Sequence, residues 1–173
     1  ENLFLHNPND WQNKNIKKYI NMLLTKNFIK KFGLSIYEKK DILIDPKIKI
    51  LQIPANIFNH NIITSSKLNT FLIKGGIIHL RSVFLQGLLL MNPELIPTKL
   101  EKTKKGIIHF HNIAKELKIN NSHLAIICIK FLLPEAKIII GLDNIEQLKN
   151  LNNIDNINYK PTDILEVLKI AKS

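Results

Sequence analysis

Short apolar runs rich in isoleucine, valine and phenylalanine alternate along this chain with longer stretches whose apolar residues recur at helical spacing. Five runs are expected as strands: residues 2–6, 31–36, 49–53, 76–85 and 137–141. Most are apolar at nearly every position rather than at every second one, the pattern of strands covered on both faces. Strands that alternate with helices in this way argue for βα units building a parallel sheet.

The intervening stretches predict helices. After Asn9 and Asp10, either of which can cap a first turn, Ile16, Ile20, Leu23 and Leu24 form one stripe. Residues 41–45 fit only a short helix. Residues 64–74 offer Leu68, Phe71 and Leu72 as an inward face before Gly75 and Gly76 stop the helix. Beyond Pro97, Ile107, Phe110, Ala114 and Leu117 fall in phase. The next helix groups Leu124, Ile127, Cys128, Phe131 and Leu132 and ends at Pro134. Two last helices span about residues 144–151 and a segment starting at Pro161, a residue suited to a first turn. No repeat, low-complexity linker or charge block interrupts the pattern, so residues 1–173 are expected to form one α/β domain. The spacing fits a doubly wound sheet or part of an eight-stranded barrel, and periodicity does not choose between them.

Composition narrows the function classes. A chain of 173 residues that is 45% hydrophobic can bury a sizeable core. The formal net charge of +11 would draw polyanions if it lay on one face, but the lysines scatter along the chain. Arg81 is the single arginine, whereas nucleic-acid readers lean on the arginine fork. No nucleic-acid partner is expected. One cysteine, Cys128, rules out an internal disulfide and points to a reducing, cytoplasmic compartment. Every long apolar run is broken by charge, proline or glycine, so a soluble protein without a membrane partner is expected. The chain opens on an apolar run without Met, which suggests a piece of something longer.

Parallel α/β folds expose ligand-binding side chains at the carboxyl ends of their strands. The polar residues at those places are His6, Ser35, Gln52 with Asn56, Arg81 with Ser82, and Gly141 with Asp143. A neutral imidazole at a strand end can donate a hydrogen bond to a carbonyl oxygen, which makes His6 a candidate for chemistry. His109 and His111 stand two apart in a helical stretch and face different ways, and no metal-ligand motif is present. The glycines form neither a GxGxxG nor a P-loop pattern, so a Rossmann-type site is not indicated. Cys128 within an apolar helix is a poor nucleophile, and paired carboxylates at strand ends are missing.

The ordered set Leu3-Phe4-Leu5-His6-Asn7-Pro8, Lys31-Phe32-Gly33-Leu34-Ser35-Ile36-Tyr37 and Leu51-Gln52-Ile53-Pro54-Ala55-Asn56 resembles successive strand ends of the aldo/keto reductases. Arg81-Ser82-Val83-Phe84-Leu85-Gln86-Gly87 and Ile140-Gly141-Leu142-Asp143-Asn144-Ile145-Glu146-Gln147 are similar to later segments of that family. The resemblance implies a (β/α)8 TIM barrel, incomplete here, that binds NADP(H) or sometimes NAD(H) and reduces small-molecule aldehydes or ketones by hydride transfer. It places His6 as the carbonyl-orienting histidine and Ser35 and Gln52 at the nicotinamide carboxamide. It puts Arg81 where many relatives have an aromatic residue stacking on the ring. Ser82 through Gly87 match the pyrophosphate segment, and Gly141, Asp143 and Gln147 the adenosine-phosphate region. Ile36 replaces a frequent asparagine, and Asn150-Leu151 a frequent Glu-Asn pair.

By the same resemblance, these residues are the last five βα units. The aspartate, tyrosine and lysine of the family's catalytic set lie in three earlier units that the sequence lacks, and neither Tyr19 nor Tyr37 is placed to replace the tyrosine. A barrel of about 250 residues exceeds this length, so the chain is expected to be inactive alone. The alternative is a non-catalytic partial barrel that serves as an interaction module and shields its open strand edges against another subunit.

Overall fold

A computed structural model describes residues 1–152 and 154–170. Its one sheet has the order β1-β2-β3-β4-β5, with β1 at Asn2–Leu5, β2 at Lys31–Ser35, β3 at Ile48–Pro54, β4 at Ile77–Arg81 and β5 at Lys137–Ile138. The first four strands pair in parallel and in sequence order, which is the signature of repeated βα units. The chain forms two compact units, one of residues 1–54, 61–81 and 135–137, the other of residues 55–60, 82–134 and 138 onward.

In the first unit the strand register sorts side chains onto two faces. Phe32, Leu34, Ile36, Leu51, Ile53, Ile78 and Leu80 are buried on one. α1 (Lys14–Thr25), which follows β1, and α2 (Ser66–Ile73), which follows β3, bury Ile20, Leu68 and Phe71. Trp11 lies against Phe32 with ring centroids 4.8 Å apart, and its indole N–H donates to the Asp45 carboxylate at 3.0 Å. Burying a side chain such as Phe32 contributes about 2 kcal/mol. The other face is mixed. Ser35, Gln52 and His79 stand opposite one another in register, with Arg81 opposite Pro54. Phe4 reaches over Gly33 toward His79, at 5.8 Å between ring centroids. A Cβ on Gly33 would sit 2.6 Å from the Ile50 carbonyl and 2.8 Å from the Phe4 ring, so only glycine leaves room there.

The second unit is helical. α3 (Glu101–Leu117) buries Ile107, Phe110, Ile113 and Ala114. α4 (Asn121–Leu132) buries every residue from Leu124 to Ile129, so it is an interior helix, packed on α3 and on α6 (Pro161–Lys169). α5 (Ile145–Leu151) is short, with Ile145 and Leu148 exposed. No helix among the described residues is long and apolar enough to cross a membrane.

Local expectations are corrected in four places. β4 stops at Arg81 instead of continuing to residue 85, because Ser82 adopts φ 62° and turns the chain. β5 has two residues instead of five, and Ile139 beyond it is 43% exposed. Residues 41–45 are not a helix: a single turn at Lys39–Asp41 is closed by the Asp41 carboxylate, which accepts from the Glu38 N–H at 3.1 Å. Ile42 is then extended, and Pro46 disfavours helix at Asp45. Finally, α1 is capped by Asn13, whose side-chain oxygen accepts from the Asn15 and Ile16 N–H groups, and not by Asn9 or Asp10.

Candidate functional site

The first unit gathers polar groups at the carboxyl ends of β1 to β4. Ser35, only 3% exposed, ends β2, and its hydroxyl accepts a long hydrogen bond of 3.4 Å from the Arg81 guanidinium at the end of β4. The guanidinium lies over the Tyr37 ring, its Cζ 4.5 Å from the ring centroid. His6, just past β1, meets the same ring edge-on with centroids 6.1 Å apart. The main-chain carbonyl of Gln52 accepts from the Ile36 N–H at 2.9 Å, which fixes its backbone while its side chain stays half-buried on the mixed face. Arg81 forms no ion pair among the described residues and uses one of its five N–H donors on Ser35. The remaining donors suit a planar amide or an anion. His79, in register with Ser35 and Gln52, has its pKa lowered by burial and then by the positive charges of Lys137 and Lys31.

The second unit holds a cavity of about 860 Å³. Residues 82–91, following β4, and residues 139–143, following β5, form two of its walls. Asn120, Asn121 and Ser122 at the start of α4 and Gln147, Asn150 and Leu151 of α5 complete it. The first wall is built on left-handed backbone: Ser82, Leu85, Gln86 and Gly87 have φ of 62°, 50°, 56° and 85°. Bonds from the N–H groups of Leu85, Leu88, Leu89 and Leu90 close this turn, and those of Gln86 and Gly87 take no part in them. Asn56 braces the turn from a distant loop. Its side-chain oxygen accepts from the Phe58 and Asn59 N–H groups, and its amide N–H donates to the Ser82 carbonyl at 3.5 Å. Asn56 thus spends both ends of its side chain on backbone. His123 of α4 is hydrogen-bonded to the Asn150 carbonyl.

The residues singled out in the sequence therefore fall into two groups. His6, Ser35, Gln52 and Arg81 lie at the strand ends of the first unit, and Ser82, Gly87, Gly141, Asp143 and Gln147 line the cavity of the second. Sequence reasoning missed Tyr37, which both His6 and Arg81 touch, and His79. It also missed Asn120 to Ser122, which read as an ordinary helix start. The signal for Tyr37 was available: it lies two residues beyond Ser35, where the side-chain period returns to the same face. Among the described residues no group of three or more His, Cys, Asp or Glu side chains gathers as a metal site. The Cys128 thiol is buried in α4 and its pKa is pushed up to about 12 by that burial.

No family model matches the sequence, and no curated protein matches it. Among solved structures the chain is similar to the glycerol dehydrogenase AKR11B4 from Gluconobacter oxydans, an aldo/keto reductase, with a TM-score of 0.70 and 16% identity. The likeness covers 97% of this chain and 56% of that one. It shows the fold: an aldo/keto-reductase-like α/β architecture and an incomplete TIM barrel. This chain spans little more than half the length of that dehydrogenase.

Proposed function

We propose that the chain is the dinucleotide-holding part of an aldo/keto-reductase-type oxidoreductase that takes NADP(H) or NAD(H) and acts on a small aldehyde or ketone. The observation that carries this reading is the cavity of about 860 Å³, whose walls are the segments that follow two strands of the sheet, where barrels of this fold collect their ligands. Its amide side chains and the turn at residues 82–87 suit the phosphates and adenosine of a dinucleotide. In the first unit, the Ser35 hydroxyl, the Gln52 amide and the Arg81 guanidinium suit the carboxamide and ring of a nicotinamide.

The reduced dinucleotide, when bound, would supply a hydride. This chain's own residues hold and orient. Arg81, kept in place by Tyr37 and Ser35, offers a flat cationic face. The exposed imidazole of His6 can donate a hydrogen bond to a carbonyl oxygen. The resemblance to the aldo/keto reductases implies that the acid which protonates the product oxygen comes from a tyrosine, lysine and aspartate set in further βα units.

Titration of the chain with reduced dinucleotide, followed by nicotinamide fluorescence, tests the reading. Saturable binding that weakens at least about tenfold in Arg81→Ala is expected, the loss of one charge-assisted contact. Absence of saturable binding by either dinucleotide overturns it.

A further inference from the structure

For a chain of net charge +11, the cavity is unexpectedly poor in cations. Among the described residues no lysine, arginine or histidine lines it, and Asp143 supplies its only formal charge. The other polar side chains on the lining are neutral amides and hydroxyls. Lys149, beside Asn150 in the sequence, is not on the lining.

Two backbone donors beside Asp143 are also already engaged. The Asp143 N–H donates to the Gln147 side-chain oxygen at 2.9 Å, and the Gln147 N–H donates to the Asn144 side-chain oxygen at 2.9 Å. A phosphate monoester carries about −1.5 to −2 near neutral pH and needs cationic side chains or free N–H donors around it. This wall offers an exposed carboxylate and no cationic side chain, and its own side chains take the N–H groups of Asp143 and Gln147. A carboxylate repels phosphate but accepts hydrogen bonds from hydroxyls, and a ribose presents two adjacent ones.

We propose that the cavity selects a dinucleotide whose adenosine ribose carries free hydroxyls over one bearing a 2′-phosphate, so that NADH is preferred to NADPH, and that Asp143 is the discriminating residue. The proposal rests on the dinucleotide reading above and adds the cofactor preference that reading leaves open.

Dissociation constants of NADH and NADPH for the unaltered chain, measured by nicotinamide fluorescence under one set of conditions, decide it. NADH is expected to bind about tenfold or more tightly, the size of one unfavourable charge contact near a surface. Asp143→Asn should narrow the gap, and Asp143→Lys should reverse it. Equal or tighter binding of NADPH to the unaltered chain overturns the selectivity and leaves the dinucleotide reading standing. A gap that Asp143→Asn leaves untouched overturns the role of Asp143, and binding of neither nucleotide overturns both readings. The Asp143 side chain makes no hydrogen bond within the described structure, so these variants leave the fold intact.

Discussion

The two units place their polar side chains by different physics. In the first, strand register does the placing: Ser35, Gln52 and His79 share a row because parallel pairing puts them side by side over a packed apolar face. In the second, unusual backbone does it: left-handed positions at Ser82 and at Leu85, Gln86 and Gly87 shape a wall that Asn56 braces. The difference teaches that a glycine can matter for opposite reasons. Gly33 is needed for space, while Gly87 stands in open space and is needed for its φ of 85°.

Substitutions that separate space from backbone conformation test that contrast. Gly33→Ala is expected to have the largest effect, destabilising the protein by about 3 kcal/mol because the Ile50 carbonyl and the Phe4 ring must move. Gly87→Ala meets no neighbour and should cost only the left-handed penalty, about 1 kcal/mol. Urea unfolding of both variants gives the comparison, and it breaks if Gly87→Ala proves the more damaging. Gln86→Gly should run the other way, raising stability by somewhat less than about 1 kcal/mol as the strain at φ 56° is released against a more flexible unfolded chain.

A smaller effect belongs to His79. Its pKa is lowered in the fold, so the neutral form is the one the structure favours. The stability it contributes is present above the ordinary value of 6.5 and is lost as pH falls below that value through the lowered pKa. Thermal midpoints should therefore decline on mild acidification, and His79→Gln should flatten the decline. A profile unchanged by that substitution would remove His79 from the account.

The strands were legible because short runs such as residues 49–53, carrying Ile50, Leu51 and Ile53, are dense in strand-forming apolar residues. The end of β4 was not. Val83, Phe84 and Leu85 continue its apolar run, and the turn that interrupts it depends on Asn56, a residue far away in sequence. The same applies to the site. His6, Ser35, Gln52 and Arg81 could each be read as a strand-end residue, but the Tyr37 ring that joins two of them appears only once the strands are in register. The lack of lysine around the cavity was equally hidden, since the sequence scatters lysines along its whole length without saying which walls they avoid.

Asparagine begins five of the helical elements in this protein. The side-chain oxygens of Asn7, Asn13, Asn92, Asn120 and Asn144 accept from backbone N–H groups at the start of the element that follows each. An aspartate in the same places would add its charge to the helix dipole and would then depend on both protonation and ionic strength. The amide depends on neither. Brine or mild acid leaves these element starts as they are, and added salt acts instead on the mutual repulsion of the lysines and on the capture of charged ligands.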